Sequence, residues 1–155
     1  MKRQKQPELM LRLFLIDLLD SLDREIKMNE IRVRYKDLIQ FEKDIICNGC
    51  GPKGGWIPVP DFIFTASCWH HDFQYWIGCN RLQRKKADLQ FLKEMLIDAN
   101  TFLDKADRIK YKKIAVTYYR AVRVFGPFCF HWAKRQRNRI DLNIAVAKAM
   151  REGTV

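Results

Sequence analysis

No stretch of this 155-residue chain approaches the roughly twenty apolar residues that a membrane-crossing helix needs. The most apolar segment, LMLRLFLIDLLDSL, is interrupted by Arg12, Asp17 and Asp20. With those charges inside it and no small-residue cleavage site behind it, the basic opening MKRQKQ is read as part of the mature protein, not as a secretory leader. Cysteine is sparse as well. Five fall far short of a disulfide scaffold, and an odd number leaves at least one thiol free or paired between chains. Glycine and proline are few, and more than half of them crowd between Cys47 and Pro60. Acidic residues are in short supply, 18 against 29 Lys and Arg, so the formal charge is +11. That excess points to an anionic partner: a lipid surface, nucleic acid or an acidic substrate.

What is present is a globular composition, 48% apolar and 30% charged, in a chain long enough to bury a core without staples. There is no linker, internal repeat or low-complexity tract, so a single domain over residues 1–155 is expected, mainly α in class. Residues 8 to 27 carry Leu11, Phe14, Leu15, Leu18, Leu19, Leu22 and Ile26 at amphipathic-helix spacing. A looser version of the pattern over 30–46 predicts a second helix. The Gly/Pro-rich span 47–60 reads as an ordered loop. A helix is expected from Thr65 or Ser67 to Trp76 or Ile77, with Gly78 as its stop. Another covers about Arg81 to Ala99, with Leu89, Leu92, Leu96 and Ala99 on one stripe, and a further one ends at Gly126–Pro127.

The chemistry concentrates in the middle of the chain. His71 and Asp72 are neighbours, so on a helix they point about 100° apart and must face different partners. Asp88, on the next helix, is placed to meet His71 across an antiparallel pair. A carboxylate on one imidazole nitrogen leaves the other to take a proton from water. Tyr75, four residues after His71, shares its face and can donate to the same carboxylate. Asp72 then faces the glycine loop, where a carboxylate and backbone carbonyls make an oxygen-only site suited to Ca²⁺.

The cysteine–glycine loop followed by Cys68-Trp69-His70-His71-Asp72-Phe73-Gln74-Tyr75, with Asp88 beyond, resembles the phospholipase A2 family, whose helix reads Cys-x-x-His-Asp-x-x-Tyr. The likeness covers about residues 47–128. "PDFIFTASC", "RLQRKKADLQFLKEM" and "YYRAVRVFG" look like its bacterial, fungal and phage branch. The resemblance implies an antiparallel catalytic helix pair, here with extra N- and C-terminal helices, and calcium-dependent hydrolysis of the sn-2 ester of glycerophospholipids. On that pattern His71 is the general base, Asp88 and Tyr75 orient it, and Asp72 holds Ca²⁺ with the carbonyls of Gly49 and Gly51. A third carbonyl falls on Lys53 or Gly54, since CGPKGG is one residue longer than the family's loop. The resemblance also implies a Cys50–Cys68 disulfide. Gln74 stands where the family usually has a further bridging cysteine. The implied partner is a phospholipid surface; the positive charge of the chain makes an anionic one the expected preference, through a cluster such as Arg81, Arg84, Lys85 and Lys86 near the proposed site mouth.

Three other readings compete. Cys47 and Cys50 form a C-x-x-C that Cys68, His70, His71 and Cys79 could complete as a zinc site. The basic runs RIKYKK and WAKRQRNR could contact nucleic acid, though no helix-turn-helix or finger pattern accompanies them. The third keeps the fold without the reaction, as a lipid- or protein-binding module. Cys129 reads as a buried small apolar residue, the aromatics of 118–132 as core, and His70 and His131 as solvent-facing or capping groups.

Overall fold

A computed structural model of the chain describes residues 6–51 and 59–153. It is mainly α. Among the described residues there are six α-helices and no strand beyond an isolated bridge between Cys79 and Trp132. None of these helices is long and apolar enough to cross a membrane. The chain divides into two compact units at Arg32/Val33. The first is built on one helix, α1 (Gln6–Ile31), which extends the periodic segment read from the sequence by a few residues at each end.

The helix expected over 30–46 is not continuous: a 3₁₀ turn (Tyr35–Asp37) precedes a short α2 (Gln40–Ile46). Apolar Val33 and Tyr35 alternate with Arg32 and Arg34, a period of two that a helix cannot bury. Val33 and Leu38 are instead delivered from extended chain into a cluster with Ile46, Cys47, Phe73, Ile77 and Leu142. The Ile39 N–H donates to the Glu42 carboxylate (3.1 Å), which starts α2 cleanly.

α3 (Thr65–Ile77) and α4 (Arg81–Asn100) follow as an antiparallel hairpin. Its direction is fixed by side-chain pairs that climb one helix while descending the other: Ser67 with Asp98, His70 with Glu94, Tyr75 with Asp88. Gly78 ends α3 at φ +65°, and a Cβ there would collide with the His131 carbonyl, so the reversal needs glycine. Asn80 then caps α4 by accepting from the Leu82 and Gln83 N–H groups. The buried face of α4 carries Arg84, Ala87, Asp88, Phe91, Met95 and Ala99. The expected stripe is therefore rotated: Leu89 is exposed, because the polar pair Arg84 and Asp88 takes the inward positions.

α5 (Lys105–Cys129) packs along α4 and runs past Gly126–Pro127, where the sequence suggested a stop. Proline in the last turn removes a single helical hydrogen bond, and the Trp132 indole N–H occupies the Pro127 carbonyl (2.8 Å). The strand-like strap after α5 runs back over the end of α3. His131 N–H donates to the Tyr75 carbonyl and Arg137 N–H to the Ile77 carbonyl, satisfying acceptors that a helix C-terminus leaves open. α6 (Arg139–Glu152) starts on an Asn138/Asp141 capping box and seats Leu142 in the core.

Candidate functional site

α3 lies between two apolar clusters, one around Phe73 and Ile77 and one around Phe64, Cys68, Phe91, Met95 and Ala115. His71 sits on the inward face, 6% exposed, with its ring stacked on Phe91 (centroids 4.5 Å). Asp88 is fully buried at 0% exposure and reaches His71 Nε2 at 3.2 Å through Oδ1. The Tyr75 hydroxyl donates to the same oxygen at 2.6 Å. The second oxygen, Oδ2, accepts from Arg84 Nη1 (3.2 Å) and from Arg123 Nη1 (2.7 Å) on α5.

Four donors on one buried carboxylate decide its charge. Burial alone would raise the Asp88 pKa, but the hydrogen bonds from His71, Tyr75 and Arg123 outweigh it and hold the carboxyl below its usual range. Asp88 is therefore an anion, and His71 Nε2 must be the donor in their contact. Nδ1 is left as the acceptor of the ring. Burial pushes the His71 pKa down, against the pull of Asp88, so the imidazole is neutral at pH 7. Burial and the bond to Asp88 push the Tyr75 hydroxyl up, which keeps it a donor. The arrangement is a neutral, oriented base with a shielded counter-charge behind it.

Gly126 lets α5 close on this cluster: a Cβ there would strike the Tyr75 hydroxyl. Arg84, Arg123, Gly126 and Phe91 were not singled out in the sequence as parts of this cluster. Arg84 had a local signal, since it stands four residues before Asp88 on the same helix. Arg123 and Gly126 had none, being 35 residues or more from Asp88 along the chain. The placement of Arg84 also corrects the proposed basic cluster at the site mouth, because its guanidinium is turned inward.

His70 neither faces open solvent nor caps a helix. Its Nδ1 meets Glu94 at 2.7 Å, Nε2 contacts the Gln74 amide at 3.2 Å, and its ring packs on Tyr35. Burial would raise the Glu94 pKa, but the bonds from His70 and Gln90 bring it below the usual value.

The start of the glycine loop is tied to α3 by the Asn48 N–H, which donates to Asp72 Oδ2 at 2.8 Å. The Asn48 side chain donates to the Gly51 carbonyl at 2.9 Å, so the loop curls around this residue. Gly49 has φ +82° and lies against Asp61, whose carboxylate accepts from the Cys50 N–H. Lys53 and Gly54 lie outside the described residues. Asp72 and the carbonyls of Gly49 and Gly51 are hard oxygen donors, the ligand type that Ca²⁺ takes, and the Asn48 N–H contact holds the start of the loop at Asp72.

Cys50 and Cys68 are joined in a disulfide with Cα atoms 5.2 Å apart, pinning the loop to α3. Two ligands of the zinc reading are thereby unavailable as thiolates. Among the described residues the one metal-competent group found is Cys50, Asp61 and Cys68, which contains that same pair. Cys47 is buried, donates to the Trp69 carbonyl, and has its pKa pushed up to about 12, first by burial and then by the charge of Asp72. Cys129 is exposed, not buried as expected. Comparison of the chain with protein-family models, with curated proteins and with solved structures finds no match in any of the three.

Proposed function

We propose that the second unit is a phospholipase A2-like hydrolase that cleaves the sn-2 ester of glycerophospholipids with calcium. The observation that carries this reading is the buried Asp88 on His71 Nε2, shared with the Tyr75 hydroxyl. That contact fixes the tautomer and leaves Nδ1 to take a proton from water. As the imidazolium forms, Asp88 stabilises it without itself being protonated, since two guanidinium groups hold its other oxygen. Phe91 and the surrounding apolar side chains keep bulk water from His71, so the proton exchanged is that of the attacking molecule.

Asp72, with the Gly49 and Gly51 carbonyls, would hold the ion, and the Cys50–Cys68 bond keeps that loop over the helix. Bound Ca²⁺ supplies a positive charge for the lipid phosphate and for the oxyanion of the ester. The test is release of fatty acid from mixed anionic and zwitterionic vesicles, with calcium and with EGTA. Calcium-dependent release from the sn-2 position is expected. No release at any calcium concentration would leave a binding module in its place.

A further inference from the structure

Ten Lys or Arg and no Asp or Glu occupy residues 108–140, which accounts for nearly all of the +11 net charge of the chain. Most of this run is α5 and the strap behind it. One of the ten, Arg123, is turned onto Asp88. Lys113 and Arg120 instead point outward, on the arc of α5 opposite buried Ala115 and Gly126. At 100° per residue, Lys113, Arg120, Val124 and Phe128 fall within about 80° of one another, and Phe125 flanks them.

Cations fill the early turns of that face and apolar groups its last turns. Val124 is 63% exposed, Phe125 65% and Phe128 87%. The sequence pattern assigned these aromatics to the core, but only Phe130 among the phenylalanines of this segment is buried. Three bulky apolar side chains side by side in water are unfavourable unless something removes them from it.

From this we infer that the outward face of α5, from Lys113 and Arg120 to Val124, Phe125 and Phe128, is the surface that seats on an anionic phospholipid bilayer. The inference deepens the proposed function by naming where the lipid surface is met, and it rests on that reading. Phosphates of either a bilayer or a nucleic acid would satisfy the cations. The apolar end decides between them. Val124 has no π-face on which a base could stack, and the three side chains are contiguous and not interleaved with the cations. Insertion below the headgroups removes all three from water while Lys113 and Arg120 stay at the phosphate level.

The test is co-sedimentation of the full chain with phosphatidylglycerol/phosphatidylcholine vesicles, beside the pair variant Phe125→Ser/Phe128→Ser. Leu103→Ser, at a position 98% exposed and off this face, is the control. The pair variant should bind vesicles at least about tenfold more weakly, the control within about twofold of the parent. Raising salt from about 0.1 to 0.5 M should weaken parent binding several-fold, since screening shortens the reach of the cations. If the pair variant melts below the parent, Phe128→Gln alone carries the comparison. Hydrolysis of a short-chain monomeric phospholipid should be unchanged in either variant. Vesicle binding that is the same in parent and variants would overturn the inference, as would tighter binding of the parent to duplex DNA than to vesicles. Vesicle binding that behaves as stated, with no hydrolysis of any lipid, would keep the surface and remove the hydrolase reading.

Discussion

Two histidines stand side by side on α3, and each meets a carboxylate of α4: His71 with Asp88, His70 with Glu94. By distance alone the second pair is the tighter, 2.7 Å against 3.2 Å. What separates them is everything around the contact. Asp88 has no exposed surface, a tyrosine on the oxygen facing His71 and two arginines on the other. Glu94 is partly exposed and is shared with the Gln90 amide, while His70 gives its second nitrogen to Gln74. Both nitrogens of His70 are therefore occupied, and the pair serves to fasten α3 to α4. His71 has one nitrogen committed to Asp88 and one to offer. On the proposed reading it is burial and an acceptor nitrogen left to offer, not a short histidine–carboxylate distance, that set His71 apart.

Removing the central charge should sharpen the contrast most. Asp88→Asn leaves two buried or half-buried guanidinium groups facing a neutral amide, a loss of the order of 3–5 kcal/mol in stability. It also releases the His71 tautomer, with a drop of about 10⁴-fold in turnover for any variant that still folds. Chemical denaturation and single-turnover hydrolysis read the two effects separately.

Gly126→Ala should come next, at about 1–3 kcal/mol, because the added methyl drives into the Tyr75 hydroxyl. A thermal melt measures it, and an unchanged melting temperature would mean that α5 does not close on Tyr75 as described.

Acid should also separate the pairs. The folded-state pKa of Asp88 lies below its unfolded value, so its contribution to stability is fully present above about pH 4 and fades as pH falls through the folded value. Melting temperatures taken from pH 7 down to pH 3 should fall in the parent. The fall should be shallower in Asp88→Asn than in Glu94→Gln, which keeps the buried carboxylate.

Glu94→Gln should have the smallest effect. A partly exposed histidine–carboxylate contact is worth under about 1 kcal/mol, and hydrolysis should stay within about threefold of the parent. A loss comparable to that of Asp88→Asn would erase the distinction between the two pairs.

The sequence made the helix pair legible because its punctuation is local. Gly78 ends α3 and Asn80 opens α4, and Tyr75 falls one turn after His71 on the inward face. The inward face of α4 was harder to see. Counting leucines pointed to Leu89, whereas Arg84 and Asp88 take the buried positions because each neutralises the other. The contribution of α5 was invisible: nothing near Arg123 or Gly126 in the chain announces an aspartate 35 or more residues earlier. Phe125 and Phe128 misled for the opposite reason, since apolar residues in a helical run read as core whichever way they face.

The most direct measurement places His71→Gln beside His70→Gln in a calcium-containing assay of sn-2 ester hydrolysis. Loss of the base should lower turnover by at least about 10²–10⁴-fold in His71→Gln, with folding and calcium binding retained. His70→Gln should keep activity within a few-fold of the parent. An active His71→Gln, or a dead but folded His70→Gln, would contradict the assignment of the base to His71.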